Sequence, residues 1–263
     1  MKIIDIHCHI FPEKIANKAV KSIGDYYNIS MYGEGTISDL KVQGEKAGID
    51  KFVVHSTATK PEQVKSINDF IAGIINKNSN CIGFATLHPG LVDIEAEIER
   101  VMLMGLRGIK LHPDFQGFNI DDEGMMPIYK ALEGRLIVLM HMGDENSDAS
   151  SPQRLARVLD MFPRLTVIAA HLGGYSMWRE SMEYLVGRNV YFDTSSSLAF
   201  LSRDRAKEMI RKHGVHKVLF GSDYPMWSPL EELERFMNLG FTPEEQNKIL
   251  WENSSALLKL CIE

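Results

Sequence analysis

The sequence predicts an α/β protein, a single-domain (β/α)8 TIM barrel, from three observations. Eight short apolar segments are spread over the 263 residues. After a long first interval they start every 25 to 30 residues, the length of one strand and one helix. Most are apolar throughout, as parallel strands buried on both faces are. Helical patterns lie between them, and eight strands alternating with helices are typical of a closed barrel.

The predicted strands are rich in β-branched and aliphatic residues. They span residues 3–8, 51–54, 81–87, 108–111, 136–140, 165–170, 190–192 and 217–220. An open doubly wound sheet is the structural alternative, but it usually has fewer strands and a glycine-rich first turn. The first strand here ends in His7-Cys8-His9 without a G-x-G-x-x-G motif, which favours the barrel.

Helices can be placed in the intervals from local signals. An apolar stripe follows Pro61, Ser151-Pro152 is a helix start, and Thr242 with Glu245 forms a capping box before a C-terminal helix. The first interval, residues 12–50, must hold more than one helix. We expect one domain over residues 1–263, with this insertion above the barrel mouth as either a lid or a variable surface loop.

Composition narrows the class of partner. The net charge of -6 argues against nucleic acid or an anionic membrane, which both require clustered Lys and Arg. Three cysteines, Cys8, Cys81 and Cys261, predict no disulfide framework and a reducing compartment. There is no signal-peptide pattern and no long apolar run. We therefore expect a cytoplasmic protein that acts on a small molecule, with a homo-oligomer left open.

Seven of the nine histidines lie at or next to the C-terminal ends of predicted strands: His7, His9, His55, His88, His112, His141 and His171. Histidine is the commonest metal ligand and a frequent proton carrier. In a barrel these strand ends form one rim, where active sites are built. The pattern predicts an enzyme. The other two, His213 and His216, precede the eighth strand, and we expect them at the surface.

The first and last strands supply the strongest candidates for a metal site. His7 and His9 are two residues apart, so both rings should point into the barrel mouth. Asp5, one step deeper on that face, is a candidate to orient one ring. Asp223 follows the last strand, which closes against the first, so it can reach an ion held by the two histidines. His141 and His171 end the fifth and sixth strands and join this group.

Lys110 shares a strand face with His112, and a lysine inside a barrel is costly unless it is paired or modified. Three interpretations stay open: a carbamylated lysine that bridges two metals, an ammonium that binds a substrate carboxylate, or an ion pair with Asp193 or Asp114. Residues 193–197 either bind substrate oxygens or cap the next helix, with the cap favoured. Further candidates for substrate binding are His112, His55, His88, Phe115 and Trp178.

Five motifs together resemble the amidohydrolase superfamily, in the branch that contains aminocarboxymuconate-semialdehyde decarboxylase. They are Asp5-Ile6-His7-Cys8-His9, Gly108-Ile109-Lys110-Leu111-His112-Pro113, the strand end at His141, Ala170-His171-Leu172-Gly173-Gly174 and Gly221-Ser222-Asp223-Tyr224-Pro225. The resemblance implies that a divalent metal, usually zinc, is bound by His7, His9, His141 and Asp223, with His171 as a catalytic acid or electrophile. It also implies that Lys110 and His171 would hold a second ion if one binds. We expect one.

The resemblance favours hydrolysis of a small-molecule amide, ester or lactone. The metal would lower the pKa of its bound water toward about 7. Asp223 would take up the proton and pass it to the leaving group, and His171 would stabilise the oxyanion. The first alternative is metal-dependent decarboxylation of a small carboxylic acid, with Lys110 as an anion clamp. The second is a non-catalytic metal- or ligand-binding barrel with a closed site, which a rim of five or more candidate ligands disfavours.

Overall fold

Eight parallel strands follow one another around the barrel in chain order. In the computed structural model, which describes residues 1–260, each strand hydrogen-bonds to the next. The strands are β1 Ile4–His9, β2 Lys51–His55, β3 Cys81–Thr86, β4 Gly108–Leu111, β5 Ile137–Met140, β6 Val167–Ala169, β7 Tyr191–Asp193 and β8 Val218–Leu219. The predicted set of strands is confirmed, with bounds that differ by at most two residues.

The barrel closes between its last and first strands. The N–H of Ile6 donates to the carbonyl of Phe220 (2.9 Å), and the N–H of Asp223 donates to the carbonyl of His7 (3.0 Å). Cys8 and Tyr224 form a parallel bridge one step further. The residues that follow β8 therefore lie beside His7, where the sequence placed Asp223.

Helices fill the intervals between the strands, and the first interval holds two of them. They are α1 Glu13–Tyr27, α2 Ile37–Ala47, α3 Val64–Ile75, α4 Ile94–Leu103, α5 Pro113–Gln116, α6 Met126–Leu132, α7 Pro152–Met161, α8 Trp178–Tyr184, α9 Arg203–His213, α10 Pro229–Met237, α11 Pro243–Asn247 and α12 Asn253–Leu257. The predicted helix starts are present. Thr242 and Glu245 form the capping box of α11, whereas Ser151 precedes α7 without a side-chain cap bond.

Two apolar layers bury the strands on both faces. The inner layer fills the barrel with Ile4, Ile6, Val53, Phe84, Ile137, Leu139, Ile168, Ala170 and Leu219. The outer layer packs strand residues such as Val54, Leu111 and Val138 against the helices. Burial on both faces explains why the strands are apolar throughout. The filled interior leaves the C-terminal ends of the strands as the place for polar side chains.

One histidine is buried away from those strand ends. His216 is exposed, but His213 is only 4% exposed, so the prediction that both lie at the surface is wrong for His213. Its ring stacks on Phe192 with 3.8 Å between centroids. Its Nδ1 accepts the N–H of Gly187 (3.2 Å) and its Nε2–H donates to the carbonyl of Val190 (2.9 Å). These contacts satisfy both ring nitrogens and stabilise the buried ring.

The remaining sequence expectations concern cysteines and membranes. Cys8 and Cys81 are free and buried, and Cys261 lies outside the described residues. Within residues 1–260, no helix is both long enough and apolar enough to cross a membrane.

Candidate active site

The two histidines of β1 lie at the base of the site. His7 Nε2 and His9 Nε2 are 3.2 Å apart, so the rings share a face. Asp5 does not share it, because the pairing of β1 with β2 is irregular between Asp5 and Cys8. Asp5 Oδ1 instead accepts the backbone N–H groups of His7 (3.1 Å) and Ser222 (2.9 Å). The expectation that Asp5 orients an imidazole is therefore wrong. The Asp5 carboxylate instead connects β1 to the segment that follows β8.

Asp193, the last residue of β7, orients His7 instead. Its Oδ2 lies 2.9 Å from His7 Nδ1. A proton on Nδ1 leaves Nε2 with a lone pair toward His9, as in metal-binding histidines backed by a carboxylate. Burial, aided by the charge of Lys110, lowers the pKa of His7 to about 4, so its ring is neutral near pH 7. Burial opposes ionisation of Asp193, but His7 holds the pKa of that carboxyl below its usual value.

Asp223 completes a cluster of two nitrogens and one oxygen. Its Oδ1 lies 3.3 Å from His7 Nε2 and 3.4 Å from His9 Nε2. Its Oδ2 accepts the hydroxyl of Ser196 (2.5 Å). Burial opposes ionisation, yet the imidazoles of His7, His9 and His171 hold the pKa of Asp223 well below its usual range. Neutral imidazoles beside an ionised carboxylate are a donor set that fits a divalent metal such as zinc.

The hydroxyl-rich segment after β7 belongs to the site, so the expectation that it caps the next helix is wrong. Helix α9 starts later, and Ser202 caps it by accepting the N–H of Arg205 (3.3 Å). Ser195 Oγ lies 2.9 Å from His171 Nδ1, and it also donates to Asp193. Sequence reasoning considered residues 193–197 as substrate contacts or a helix cap, and Asp193 also as a partner of Lys110. It missed that Asp193 and Ser195 contact site histidines and that Ser196 contacts Asp223. Their position directly after a strand was the signal that could have found them.

A second histidine group comes from β4 and β5. His141 stacks on His112 with 3.8 Å between centroids and 9° between planes. His112 Nδ1 and His141 Nε2 each lie 4.0 Å from Asp114 Oδ2. His171 Nε2 lies 3.0 Å from His141 Nδ1, and the His171 and His7 rings stack with centroids 5.2 Å apart. His171 therefore lies between His141 and His7. Of the four predicted metal ligands, His7, His9 and Asp223 lie next to one another, whereas His141 contacts His171 and His112.

Lys110 lies below the cluster and does not line the cavity. Its side chain is fully buried, and Nζ lies 3.2 Å from His7 Nε2. Among residues 1–260 no carboxylate oxygen lies within 4.0 Å of Nζ, so the ion pair with Asp193 or Asp114, one of the three interpretations left open, is not formed. Burial lowers the pKa of Lys110 to about 8, although Asp223 and Asp193 oppose that shift. The ammonium contacts an imidazole rather than a substrate position.

A cavity of about 650 Å³ opens above these groups. Of the predicted site residues, those that line it are His9, His112, Phe115, His141, His171 and Asp223. Its outer wall is mostly apolar and comes from α1, the turn before α3 and α3 itself. Among residues 1–260, the only charged residue that lines it is Asp223, and no lysine or arginine does.

Three other residues predicted to bind substrate do not reach this cavity. His55 is fully buried beside the rings of His7 and His9. His88 is part of a turn, and its Nδ1 accepts the N–H of Gly90 (3.0 Å). Trp178 donates its indole N–H to the carbonyl of His171 (3.0 Å), which supports the backbone of a site residue from outside.

The end of α1 covers the cavity with two tyrosines that were noted only as part of the insertion. Tyr27 Oη lies 3.2 Å from His112 Nε2 and 3.4 Å from His141 Nε2. Tyr26 donates its hydroxyl to Asp144 (2.9 Å) and packs edge-on against Phe115. Part of the 12–50 insertion therefore contacts the site directly.

Residues 4–260 match the family model described as amidohydrolase. The chain belongs to the amidohydrolase family. The resemblance inferred from the motifs is thereby confirmed, and membership of an enzyme superfamily disfavours the non-catalytic barrel. No curated protein sequence matches this amidohydrolase significantly.

Solved structures share the fold over the whole chain. A 5-carboxyvanillate decarboxylase from Sphingomonas paucimobilis is 15% identical, with a TM-score of 0.78 and 99% of each chain covered. A dihydroxybenzoic acid decarboxylase from a Polaromonas species, with bound manganese and the inhibitor 2-nitroresorcinol, is 20% identical, with a TM-score of 0.75 over 98% of this chain and 97% of that one. A Pseudomonas putida protein described as a candidate 2-pyrone-4,6-dicarboxylic acid hydrolase is 18% identical, with a TM-score of 0.72 over 100% and 99%.

Proposed function

We propose that this amidohydrolase hydrolyses an uncharged small molecule, an amide, ester or lactone, with one divalent metal ion bound at His7, His9 and Asp223. The observation that carries the proposal is the lining of the cavity. In the part of the chain that the structure describes, Asp223 is its only charged side chain, and no lysine or arginine lines it. An ion held by Asp223 leaves one net positive charge at the base of the cavity, and beyond it the described lining supplies no lysine or arginine to orient an anionic substrate, which favours a neutral carbonyl compound.

The donor set supports zinc as the ion. Imidazole nitrogens suit zinc, whereas manganese and magnesium prefer sites richer in oxygen. His141 is the fourth ligand that the family resemblance implies, but its ring contacts His171 and His112, so only three ligands enter the proposal. When bound, the ion supplies a water of lowered pKa and polarises a carbonyl oxygen.

The side chains of the site have separate roles in the reaction. Asp223 faces the ion through Oδ1, so it accepts the proton of the attacking water on Oδ2, the oxygen that also accepts the hydroxyl of Ser196, and delivers that proton to the leaving group. His171 faces the cavity, and Asp193 fixes its backbone by accepting its N–H (2.9 Å). We assign the ring of His171 to stabilise the developing oxyanion. Tyr27 and Phe115 close the cavity above the reacting group and exclude water.

Decarboxylation is the second candidate, and the structural neighbours favour it. The Sphingomonas and Polaromonas proteins are decarboxylases of aromatic acids. The same metal site would then bind the carboxylate of the substrate. The anion clamp that the sequence assigned to Lys110 would be absent, because that side chain is buried beneath His7.

Assays on matched substrates test both candidates. Zinc-loaded protein and its Asp223→Asn and His171→Asn variants are incubated with neutral aryl esters, lactones and amides, and separately with aromatic and unsaturated carboxylic acids. We expect hydrolysis of neutral substrates, and a loss of about 100-fold or more in kcat for each variant. His216→Gln, on an exposed residue outside the cavity, is the control and retains the wild-type rate.

Two results would contradict the proposal. Release of carbon dioxide from the acids, with no hydrolysis of any neutral substrate, would establish the second candidate instead. Metal analysis near two equivalents, or an intact mass that shows an added carboxyl group on Lys110, would replace the one-ion site with a two-ion site.

A further inference from the structure

Helix α1 has two apolar faces, and only one of them is buried against the protein. The buried face consists of Ala16, Val20 and Gly24. Ile15, Ala19 and Ile23 have the same four-residue spacing and form a second row beside it. Ile15 is 51% exposed, and the other two are half-buried. All three line the cavity of the candidate active site, so the second face of α1 is directed at the space that a substrate enters.

Helix α3 contributes to the same cavity with apolar side chains. Its fully packed residues are Val64, Asn68, Ile71 and Ala72. Ile67 and Phe70 are only half-buried, and both line the cavity. We call these two residues, together with Ile15, Ala19 and Ile23, the apolar wall. Because the wall and the site residues line one continuous cavity, a ligand at the histidines can extend onto the wall.

Polar groups beside the apolar wall are bonded to the protein itself. Gln63 Oε1 accepts the backbone N–H groups of Thr59 (2.9 Å) and Lys60 (3.2 Å), and also the hydroxyl of Thr59 (3.1 Å). Ser66 donates its hydroxyl to the carbonyl of Gln63 (3.0 Å). The groups that can react lie at the other end of the cavity, with the histidines and Asp223. The cavity therefore suits a ligand with one polar end and one apolar end.

The length of the apolar wall indicates the size of the apolar group. Ile15 and Ile23 are separated by a helical rise of about 12 Å. An extended aliphatic chain advances about 1.25 Å per bond, given C–C bonds of about 1.5 Å, so the wall matches roughly eight to ten carbons. The cavity volume of about 650 Å³ lies within the range of sites that enclose a ligand of this size. A small acetyl ester or an unsubstituted lactone would leave the wall uncovered.

We propose that the substrate carries an unbranched aliphatic acyl chain of about eight to ten carbons, which lies along the apolar wall while its carbonyl group reaches the histidines. This inference rests on the proposed hydrolysis of a neutral carbonyl compound and names the class of compound. Each methylene group that leaves water for the wall strengthens binding. Ile15 lies at the exposed end of the row, so a longer chain extends into solvent and gains no further affinity.

The first experiment measures binding without hydrolysis. The neutral fluorophore N-phenyl-1-naphthylamine is bound to wild-type protein and displaced by methyl n-alkyl ketones of four to twelve carbons, which cannot be hydrolysed. Zinc-loaded and metal-free protein are both titrated. We expect the ketone affinity to rise about two- to fourfold for each added methylene up to about eight carbons, and to level off near ten.

The second experiment alters the apolar wall. Ala19→Phe fills the cavity along α1, and Ile15→Gln removes an apolar side chain at its exposed end. Lys21→Phe is the matched control, because it adds a phenyl ring to an exposed position of the same helix outside the cavity. We expect Ala19→Phe to weaken the ten-carbon ketone about tenfold or more relative to the five-carbon ketone, and Ile15→Gln to weaken it about threefold. Lys21→Phe leaves that ratio unchanged.

Hydrolysis provides the corresponding readout of activity. The kcat/KM ratio of p-nitrophenyl octanoate to p-nitrophenyl acetate should be about 100 or more in wild type. The ratio should fall about tenfold in Ala19→Phe and stay unchanged in Lys21→Phe. Circular dichroism checks that each variant is folded.

Four results would overturn the inference. They are no binding of probe or ketones, ketone affinity that does not depend on chain length, an unchanged ketone ratio in folded Ala19→Phe and Ile15→Gln, and a dimer in sedimentation velocity whose formation excludes the probe. The last result would assign the apolar wall to an interface between two copies of the chain. Chain-dependent ketone binding without hydrolysis of any ester would contradict the proposed function alone. Ester hydrolysis that is indifferent to chain length would contradict this inference alone.

Discussion

The two histidine groups at the barrel mouth have similar composition and different arrangement. The β1 group (His7, His9, Asp193 and Asp223) contains direct contacts between carboxylates and imidazoles of 2.9 to 3.4 Å. The β4–β5 group (His112, His141, Asp114 and Tyr27) contains stacked rings, with the carboxylate 4.0 Å from both of them. The first arrangement fixes the tautomer and aims lone pairs at one point. The second leaves two parallel rings that line the cavity.

The pKa values of the carboxylates in the two groups are also shifted in opposite directions. His7 holds the pKa of Asp193 below its usual value in spite of burial. Burial raises the pKa of Asp114, although Ser150 donates a hydrogen bond to it (2.6 Å). The pKa of a buried aspartate is thus lowered where an imidazole contacts it directly and raised where none does. Because the same residue types occur in both groups, contact geometry and not composition decides which group can hold a cation.

The largest expected effect tests that difference in metal affinity. Asp193→Asn removes the carboxylate behind His7, so the His7 tautomer is no longer fixed, and we expect Zn²⁺ affinity to fall about 10- to 100-fold. Asp114→Asn is the matched change in the other group and should leave the affinity within about threefold of wild type on that scale. Competition with a chelator measures both constants.

The distinction between the two histidine groups would be wrong if Asp193→Asn and Asp114→Asn changed the Zn²⁺ affinity equally. Equal losses would mean that the ion contacts both groups, and that His141 binds it as the family resemblance implies. A larger loss in Asp114→Asn than in Asp193→Asn would place the ion in the β4–β5 group. Circular dichroism of both proteins checks that each variant is folded before the affinities are compared.

The strand ends could be predicted because they follow local rules. Apolar runs of three to seven residues indicated the strands, and the interval of one helix per strand indicated the barrel. The position of Asp223 beside β1 followed from closure alone, and the structure places it there. The two-residue spacing of His7 and His9 likewise predicted a shared face.

What could not be predicted depends on local irregularities and on loop packing. Nothing in the sequence shows that β1 changes register after Asp5, which moved that carboxylate from a ring to the backbone. Helix α9 begins at Arg203, well after the end of β7, so Ser195 and Ser196 contact site residues and do not cap the helix. The contact of Tyr27 with His112 depends on how α1 crosses the mouth, which no short-range pattern encodes.

A smaller effect is expected where the insertion contacts the β4–β5 group. Tyr27→Phe removes one hydroxyl that lies within hydrogen-bond distance of His112 and His141. The net free energy of one such bond is about 0.5–1.5 kcal/mol, so we expect kcat/KM for a neutral ester to fall about three- to tenfold. Zn²⁺ affinity should not change, because Tyr27 contacts no member of the β1 group. A loss of metal affinity in Tyr27→Phe would mean that the two groups form one metal site.

The smallest expected effect is on the pH dependence of stability, and it has opposite sign for the two aspartates. The folded-state pKa of Asp193 is lowered, so its contribution is present above its unfolded pKa and is lost as the pH falls through the folded value. The folded-state pKa of Asp114 is raised, so its contribution to stability is fully present below its unfolded pKa and is lost as the pH rises through the folded value.

Urea unfolding of the metal-free protein between acidic and neutral pH measures both contributions as differences from wild type. Asp193→Asn should therefore lose stability relative to wild type at neutral pH and approach it in acid. Asp114→Asn should gain relative to wild type as the pH rises. If both differences ran in the same direction with pH, contact with His7 would not be what separates the two carboxylates, and burial alone would control both.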